Sequence, residues 1–309
     1  MMQRFFRIFI IVYYIAISSL SASAFAAEER IVRIGSGDLM DGYYSIGLTL
    51  CRYISKSNNG IKCEVVPTTG SLENMQLLKE NKIDFAFMLS NVAFDAYEGK
   101  GIFAKSGPFK NMYQLLNLYD EYFTVISKDS DKILVFSDLE SKKISNGPPA
   151  SDSSVIYNLL LNYYKFKQTP EDIEIFYENY AKEFCDGNID AIMFMTGHPN
   201  SLINMITHKC ESDFVTIDKS KIDLLIKDNP GFHKVILEKG KYPGITENQT
   251  TVAVKAIFVA NKSTDRKIIE NFYDYLKVRI NNLKLSDPLL TDLDNAHFLK
   301  EFIIPGLNK

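Results

Sequence analysis

Residues 68–94 read TTGSLENMQLLKENKIDFAFMLSNVAF, and the reading of this stretch decides the fold. A turn of Thr68, Thr69, Gly70 and Ser71 feeds a helix expected to end at Asn81 and Lys82. A short apolar strand through Ile83, Phe85 and Phe87 follows, and it runs into Ser90 and Asn91, expected to cap a second helix from about Val92. A helix start carries unpaired backbone N–H groups and a partial positive charge. Two such starts, with hydroxyl and amide side chains beside them, suit a carboxylate or another anion. Loops at the carboxyl ends of strands are where open α/β sheets hold ligands. Ordinary N-capping by Ser and Asn produces the same pattern without a ligand.

Outward from this stretch the chain alternates strands and helices, which indicates an α/β fold. Upstream, a strand over 31–34 ends in Gly35, Ser36 and Gly37, a helix is expected over 44–55, and a second strand over 62–66. Downstream come a three-glycine loop at 99–107, two strands over 113–119 and 122–126, a turn at Ser137, and a brief strand over 143–145 ending in Asn146-Gly147-Pro148-Pro149. The pattern then repeats. Residues 151–154 cap a helix, and a strand over 173–177 and a helix over 180–185 follow. A strand over 189–195 enters Thr196-Gly197-His198-Pro199, with Pro199 in the first turn of the next helix. A strand over 214–217, a helix over 219–227 and a strand over 251–259 precede one long amphipathic helix over 267–283, with Ile269, Phe272, Tyr275 and Val278 on one face. Two similar halves with a cleft between them would gather both sets of helix starts around one ligand, in a hinged arrangement. We expect a two-lobed, type II-like binding fold: a first lobe over 27–125, a second over 126–245, and a return to the first lobe with C-terminal helices over 246–309.

The N-terminus sets the compartment. Arg4 and Arg7 precede an apolar core over 8–17, and SASAFA at 21–26 offers small residues for cleavage, after Ala26 or alternatively Ala24. This is the pattern of a secretory signal rather than of a spanning helix, which needs roughly 20 apolar residues. An uncleaved anchor is the alternative. With a formal charge of −3 and Lys and Glu interspersed, the chain has no basic stripe for nucleic acid. Cys51, Cys63, Cys185 and Cys210 allow three disulfide pairings, of which Cys51–Cys63 and Cys185–Cys210 are locally the easiest. Zinc is not expected, since there is no CxxC and no His at ligand spacing.

No catalytic set is evident. The chain has no G-x-S-x-G, no P-loop and no G-x-G-x-x-G, and no cofactor is implied. His198, in a strand-to-helix loop, could face the ligand or be an ordinary loop histidine.

Several blocks in order resemble the TAXI-type solute receptors of TRAP transporters, over about residue 31 to at least 259. They are Ile34-Gly35-Ser36-Gly37 with Gly42-Tyr43-Tyr44-Ser45-Ile46-Gly47, Thr69-Gly70-Ser71-Leu72-Glu73-Asn74, Ile83-Asp84-Phe85, Ser90-Asn91-Val92-Ala93-Phe94, residues 147–153, Gly197-His198-Pro199-Asn200 and Tyr242-Pro243-Gly244. The two cysteine pairs are similar to those of a cysteine-bearing branch. The resemblance implies a periplasmic receptor that delivers an amino acid such as glutamate or glutamine, or a dicarboxylate, to an ion-gradient-driven permease of the inner membrane, without an ATPase; a monomer is the default expectation. Departures fall near the ligand. Asp38, Met40 and Asp41 stand where the family has Gly or Thr, and Ala150 and Asp152 replace Gly. Asp38 or Asp152 in the cleft would repel an anion and favour an ammonium group; turned to solvent, neither would matter.

The expected ligand-binding residues are therefore Gly37, Tyr43, Ser71, Asn74 and Ser90 from the first lobe, and Ser151, Ser153, Thr196 and His198 from the second. The competing expectations are a periplasmic sensor module, an exported antigen and, more remotely, a hydrolase using His198.

Overall fold

The computed structural model describes residues 30–229 and 231–298. The expected signal segment lies outside them, as do residues 299–309. In chain order the elements are β1 (Arg30–Gly35), α1 (Gly42–Ser57), β2 (Ile61–Val66), α2 (Ser71–Lys79), β3 (Phe85–Leu89), α3 (Ser90–Glu98) and β4 (Met112–Lys128). Then come β5 (Lys143–Ser145), α4 (Asp152–Leu161), β6 (Glu171–Asp172), α5 (Tyr177–Cys185), β7 (Ala191–Thr196), α6 (Ser201–Lys209), β8 (Ser212–Phe214), α7 (Lys219–Asp228) and β9 (Phe232–Leu237). The long β10 (Gln249–Asn261) leads to α8 (Arg266–Val278) and α9 (Ile280–Lys284).

All ten strands hydrogen-bond into one path, β2-β1-β3-β10-β4-β7-β5-β6, with β8 on β4 and β9 on β10. The path is two sheets joined through two shared strands. β1 pairs with β2 and β3 in parallel, and β3 pairs with the C-terminal half of β10. The far half of β4 pairs with β7 and β8, and the near half of β10 with β9. β4 and β10 run antiparallel through both halves, with register irregularities between Lys255 and Ile257 and between Phe258 and Val259.

Each half is a helix–sheet–helix sandwich, and strand alternation builds its two cores. In the first half Phe85 and Phe87 face α1 and α8 with Ile34, Phe258 and Phe272, while Ala86 and Met88 face α2 and α3 with Met75 and Leu78. In the second half Met193 and Met195 pack with Phe123, Ile156 and Leu225, while Ile192 and Phe194 pack with Tyr180, Phe184 and Ile203. Each fully buried Phe in these layers contributes roughly 1.5–3 kcal/mol. Disulfide Cys51–Cys63 joins α1 to β2 in the first half, and Cys185–Cys210 joins the end of α5 to the end of α6 in the second.

Five sequence expectations are corrected. The separate strands at 113–119 and 122–126 are one strand, β4, because Asp120 meets His233 and Lys255 on neighbouring strands instead of forming a turn. No strand forms over 173–177: the two-residue β6 lies just before it, and Tyr177 opens α5 with its hydroxyl 2.7 Å from that of Ser153. The strand at 214–217 is β8, ending at Phe214. Pro199 precedes α6 rather than opening it; Asn200 is the cap, accepting from the Ile203 N–H at 2.9 Å. The long C-terminal helix breaks at Arg279. Its buried stripe is Ile268, Ile269, Phe272, Tyr273 and Leu276, which leaves Val278 82% exposed. β9 was not anticipated.

Candidate functional site

The carboxyl ends of β1 and β3 and the start of α2 make one wall of a cleft. Gly70, with φ 131°, occupies a backbone region open only to glycine, and a Cβ there would meet the Asp152 carboxylate at 3.0 Å. Behind it, Asn74 is fully buried. Its amide donates to the carbonyls of Ser36 at 2.6 Å and Phe87 at 2.8 Å, and its oxygen accepts from the Thr68 hydroxyl at 2.9 Å. Asn74 thus ties the β1 loop, β3 and α2 together and holds the wall rather than presenting a free amide.

The opposite wall comes from the second half. Asp152 opens α4 and reaches across to α2. It accepts from the Ser71 N–H at 3.1 Å and from the Ser71 hydroxyl at 2.9 Å, while that hydroxyl accepts from the Leu89 N–H at 2.8 Å. The Thr69 N–H is taken by Glu73 at 2.8 Å. The helix start that the sequence offers to an anion therefore holds the protein's own carboxylates. Ser151 caps α4 through the Ser154 N–H, and Ser153 bonds the Asn146 carbonyl and Tyr177. A Cβ on Gly147, at φ 100°, would strike all three hydroxyls of Ser151, Ser153 and Tyr177.

Between the walls lies a narrow cavity of about 30 Å³ that opens to solvent. Asp38, Met40, Asp41 and Thr69 line it from the first half, and Asp152, Tyr177, Phe194, Met195, Thr196, Asn200 and Leu202 from the second. Among these lining residues are three aspartates and no Lys or Arg. Burial pushes the Asp41 carboxyl up to about 7, with the neighbouring Asp152 adding to the shift. Burial also pushes Asp152 up to about 6, against the two hydrogen bonds from Ser71. Asp38 is raised by burial and by Glu178, although the Met40 N–H favours its charged form.

The expected residues divide accordingly. Thr196 lines the cleft and accepts from the Asn200 amide at 3.0 Å. Ser71 is fully buried, outside the lining, as the partner of Asp152. Gly37 lies at the end of β1 against the Asp41 carboxylate, where a Cβ would sit 2.7 Å from it. Tyr43 is fully buried and stacks on Phe87 at 5.1 Å. Ser90 caps nothing: α3 begins at Ser90 itself with Leu89 as N-cap, because β3 runs straight into the helix, and its buried hydroxyl has no partner. His198 turns both ring nitrogens to protein hydroxyls, Nε2 to Thr124 at 2.9 Å and Nδ1 to Tyr242 at 2.7 Å. Burial and Lys241 lower its pKa to about 3, so the ring is neutral. The lining residues not foreseen as ligand-binding, apart from the loop residues noted as departures, are Thr69, Tyr177, Phe194, Met195, Asn200 and Leu202. Tyr177 and Asn200 carry no signal beyond position, since an aromatic and an amide at helix starts are common, and Phe194, Met195 and Leu202 read as core.

A family model described as "NMT1-like family" matches residues 34–297. Among solved structures, a Listeria monocytogenes protein provisionally named an L-cystine ABC transporter superposes with a TM-score of 0.52 at 13% identity, covering 88% of this chain and 100% of that one. A Bordetella bronchiseptica structure gives 0.53 at 13% identity, covering 90% and 86%. An ATP-bound Xanthomonas citri protein gives 0.50 at 11%, covering 86% and 92%. At these identities the likeness is one of fold: the two-lobed periplasmic binding architecture.

Proposed function

The chain belongs to the NMT1-like family of solute-binding proteins, and we propose that it is an exported receptor that closes its two lobes over one small polar solute for a membrane permease. The observation that carries this reading is the Asp152–Ser71 contact across the cleft, which joins walls otherwise connected through β4 and β10. Two shared strands with irregular register make a hinge of the kind that domain closure uses. The lobes are assigned as 27–125 with 246–309, and 126–245.

The resemblance to TAXI receptors extends the proposal to a TRAP-type, ion-gradient-driven permease and to a receptor in the periplasm, with a monomer as the default. Of the ligands it implies, an amino acid without an acidic side chain, such as glutamine, suits a cleft lined by Asp38, Asp41 and Asp152 better than glutamate or a dicarboxylate does, because its ammonium group can face them with no second carboxylate beside it.

Thermal unfolding of the purified protein against amino acids, dicarboxylates and basic solutes tests the receptor reading. A ligand at about 100 times its Kd stabilises by roughly 2.7 kcal/mol, a rise of a few degrees. Stabilisation by one solute class at saturating concentration is expected. A flat response to every class contradicts the receptor reading.

A further inference from the structure

Glu121 is the buried group that the cleft description leaves without a role. It lies in the middle of β4, opposite Val254 of β10, and is 0% exposed. Neither carboxyl oxygen has a hydrogen-bond partner, and the hydroxyls of Tyr43 and Tyr119 are likewise buried without one. These groups belong together. The rings of Tyr43 and Tyr119 lie 6.5 Å apart, and residues two apart on a strand, such as Tyr119 and Glu121, share a face. The Tyr43 hydroxyl is close enough to favour the charged form of Glu121, in a geometry short of a hydrogen bond.

That face lies behind the cleft wall, since neither Glu121 nor either tyrosine is among the residues lining the open cleft. Tyr119 packs where a Cβ on Gly42 or Gly197 would strike it, and these glycines directly follow the cleft residues Asp41 and Thr196. Burial raises the Glu121 pKa well above the usual carboxylate range, and the charges of Asp41 and Asp152 add to the shift. A buried carboxyl without a partner stays neutral rather than carry an uncompensated charge, and a cation beside it is the group that would let it ionise. No set of three or more Asp, Glu, His or Cys among the described residues has the geometry to hold a metal ion, so an organic cation fits better.

We propose that Glu121, Asp41 and Asp152, with the hydroxyls of Tyr43 and Tyr119, form a subsite for the ammonium or guanidinium group of the solute. The solute is then an organic cation or carries a cationic side chain. This rests on the receptor reading and specifies its ligand class. The Ser71 end of the cleft, already filled by Asp152, has no free helix start to offer a second carboxylate.

The test is isothermal titration at pH 8 of the purified protein with lysine, arginine, agmatine and putrescine, and separately with glutamate, 2-oxoglutarate and succinate. At least one cationic solute is expected to bind. Glu121→Gln, which keeps the shape of a neutral carboxyl, should weaken that binding about tenfold or more by removing one charge-assisted hydrogen bond. Its melting temperature should stay within a degree or so. Asp41→Asn, on the partly exposed loop before α1, is the second variant and should weaken the same solute. Binding only of the anionic solutes overturns the cation subsite and leaves the receptor reading standing. Cation affinity unchanged in both variants, or no binding by any cationic solute, also overturns the subsite.

Discussion

The starts of α2 and α4 look alike in sequence, each a glycine- or proline-containing turn followed by serine, yet they are used differently. At α4 the serine serves its own helix: Ser151 accepts from the Ser154 N–H through its hydroxyl and from the Val155 N–H through its carbonyl. At α2 no side chain of the segment caps the helix. Its first N–H and its serine hydroxyl instead point across the cleft to Asp152. One start is closed on itself, and the other is completed only when the second lobe arrives. A helix N-terminus is thus an anion site whose occupant is decided by tertiary structure, and here the chain supplies the anion.

The largest expected effect concerns what holds the α2 start in place. Asn74→Ala leaves two buried carbonyls and the Thr68 hydroxyl unsatisfied and should cost about 3–5 kcal/mol in urea unfolding. A loss under about 1 kcal/mol would mean that the wall stands without it.

The next effect is on pH dependence. The Asp152 pKa is raised from 3.8 to about 6 and that of Asp41 to about 7, so the folded state binds more protons than the unfolded state between about pH 4 and 7. Stability of the unliganded protein is therefore greatest below the ordinary carboxylate pKa and falls as pH rises through 6 and 7. Asp152 alone accounts for up to about 3 kcal/mol. Asp152→Asn should flatten the profile by about 1.4 kcal/mol per pH unit across its window, between about pH 4 and 6, read from denaturant midpoints at pH 4 to 7. An unchanged slope would separate Asp152 from the proton uptake. The other charged or titratable groups facing it are Asp38, Asp41, Glu121, Tyr43, Tyr119 and Tyr177.

Two serine deletions then sharpen the comparison. Ser71→Ala removes a buried hydroxyl that both donates and accepts, stranding the Leu89 N–H, and should cost about 2 kcal/mol. Ser151→Ala removes an N-cap and should cost about 1 kcal/mol. Equal costs would erase the distinction between the two starts.

Much of the frame was legible. Strand alternation at 85–89, the cysteine pairs and the turn before Ser71 all sit where the sequence put them, because each depends on contacts close in the chain. The continuous β4 was not legible. Asp120-Glu121 breaks an apolar run as a turn would, and only the neighbours His233 and Lys255 show why the strand continues. The same interruption hid Glu121, whose surroundings come from α1 and the second lobe. Asp38, Asp41 and Asp152 were visible as departures from the resembled family, but the direction of a loop side chain is not written in spacing. His198 looked like a ligand from its loop; its partners Thr124 and Tyr242 lie 74 and 44 residues away.

The most direct measurement is the thermal shift given by lysine and by glutamate at pH 5.5 and pH 8. Protonated carboxyls attract a cation weakly and ionised ones strongly, so the lysine shift should grow from the lower pH to the higher while the glutamate shift stays near zero. A glutamate shift that exceeds that of lysine at both pH values, or that is largest at pH 8, would contradict a cleft whose ligand is chosen by its carboxylates.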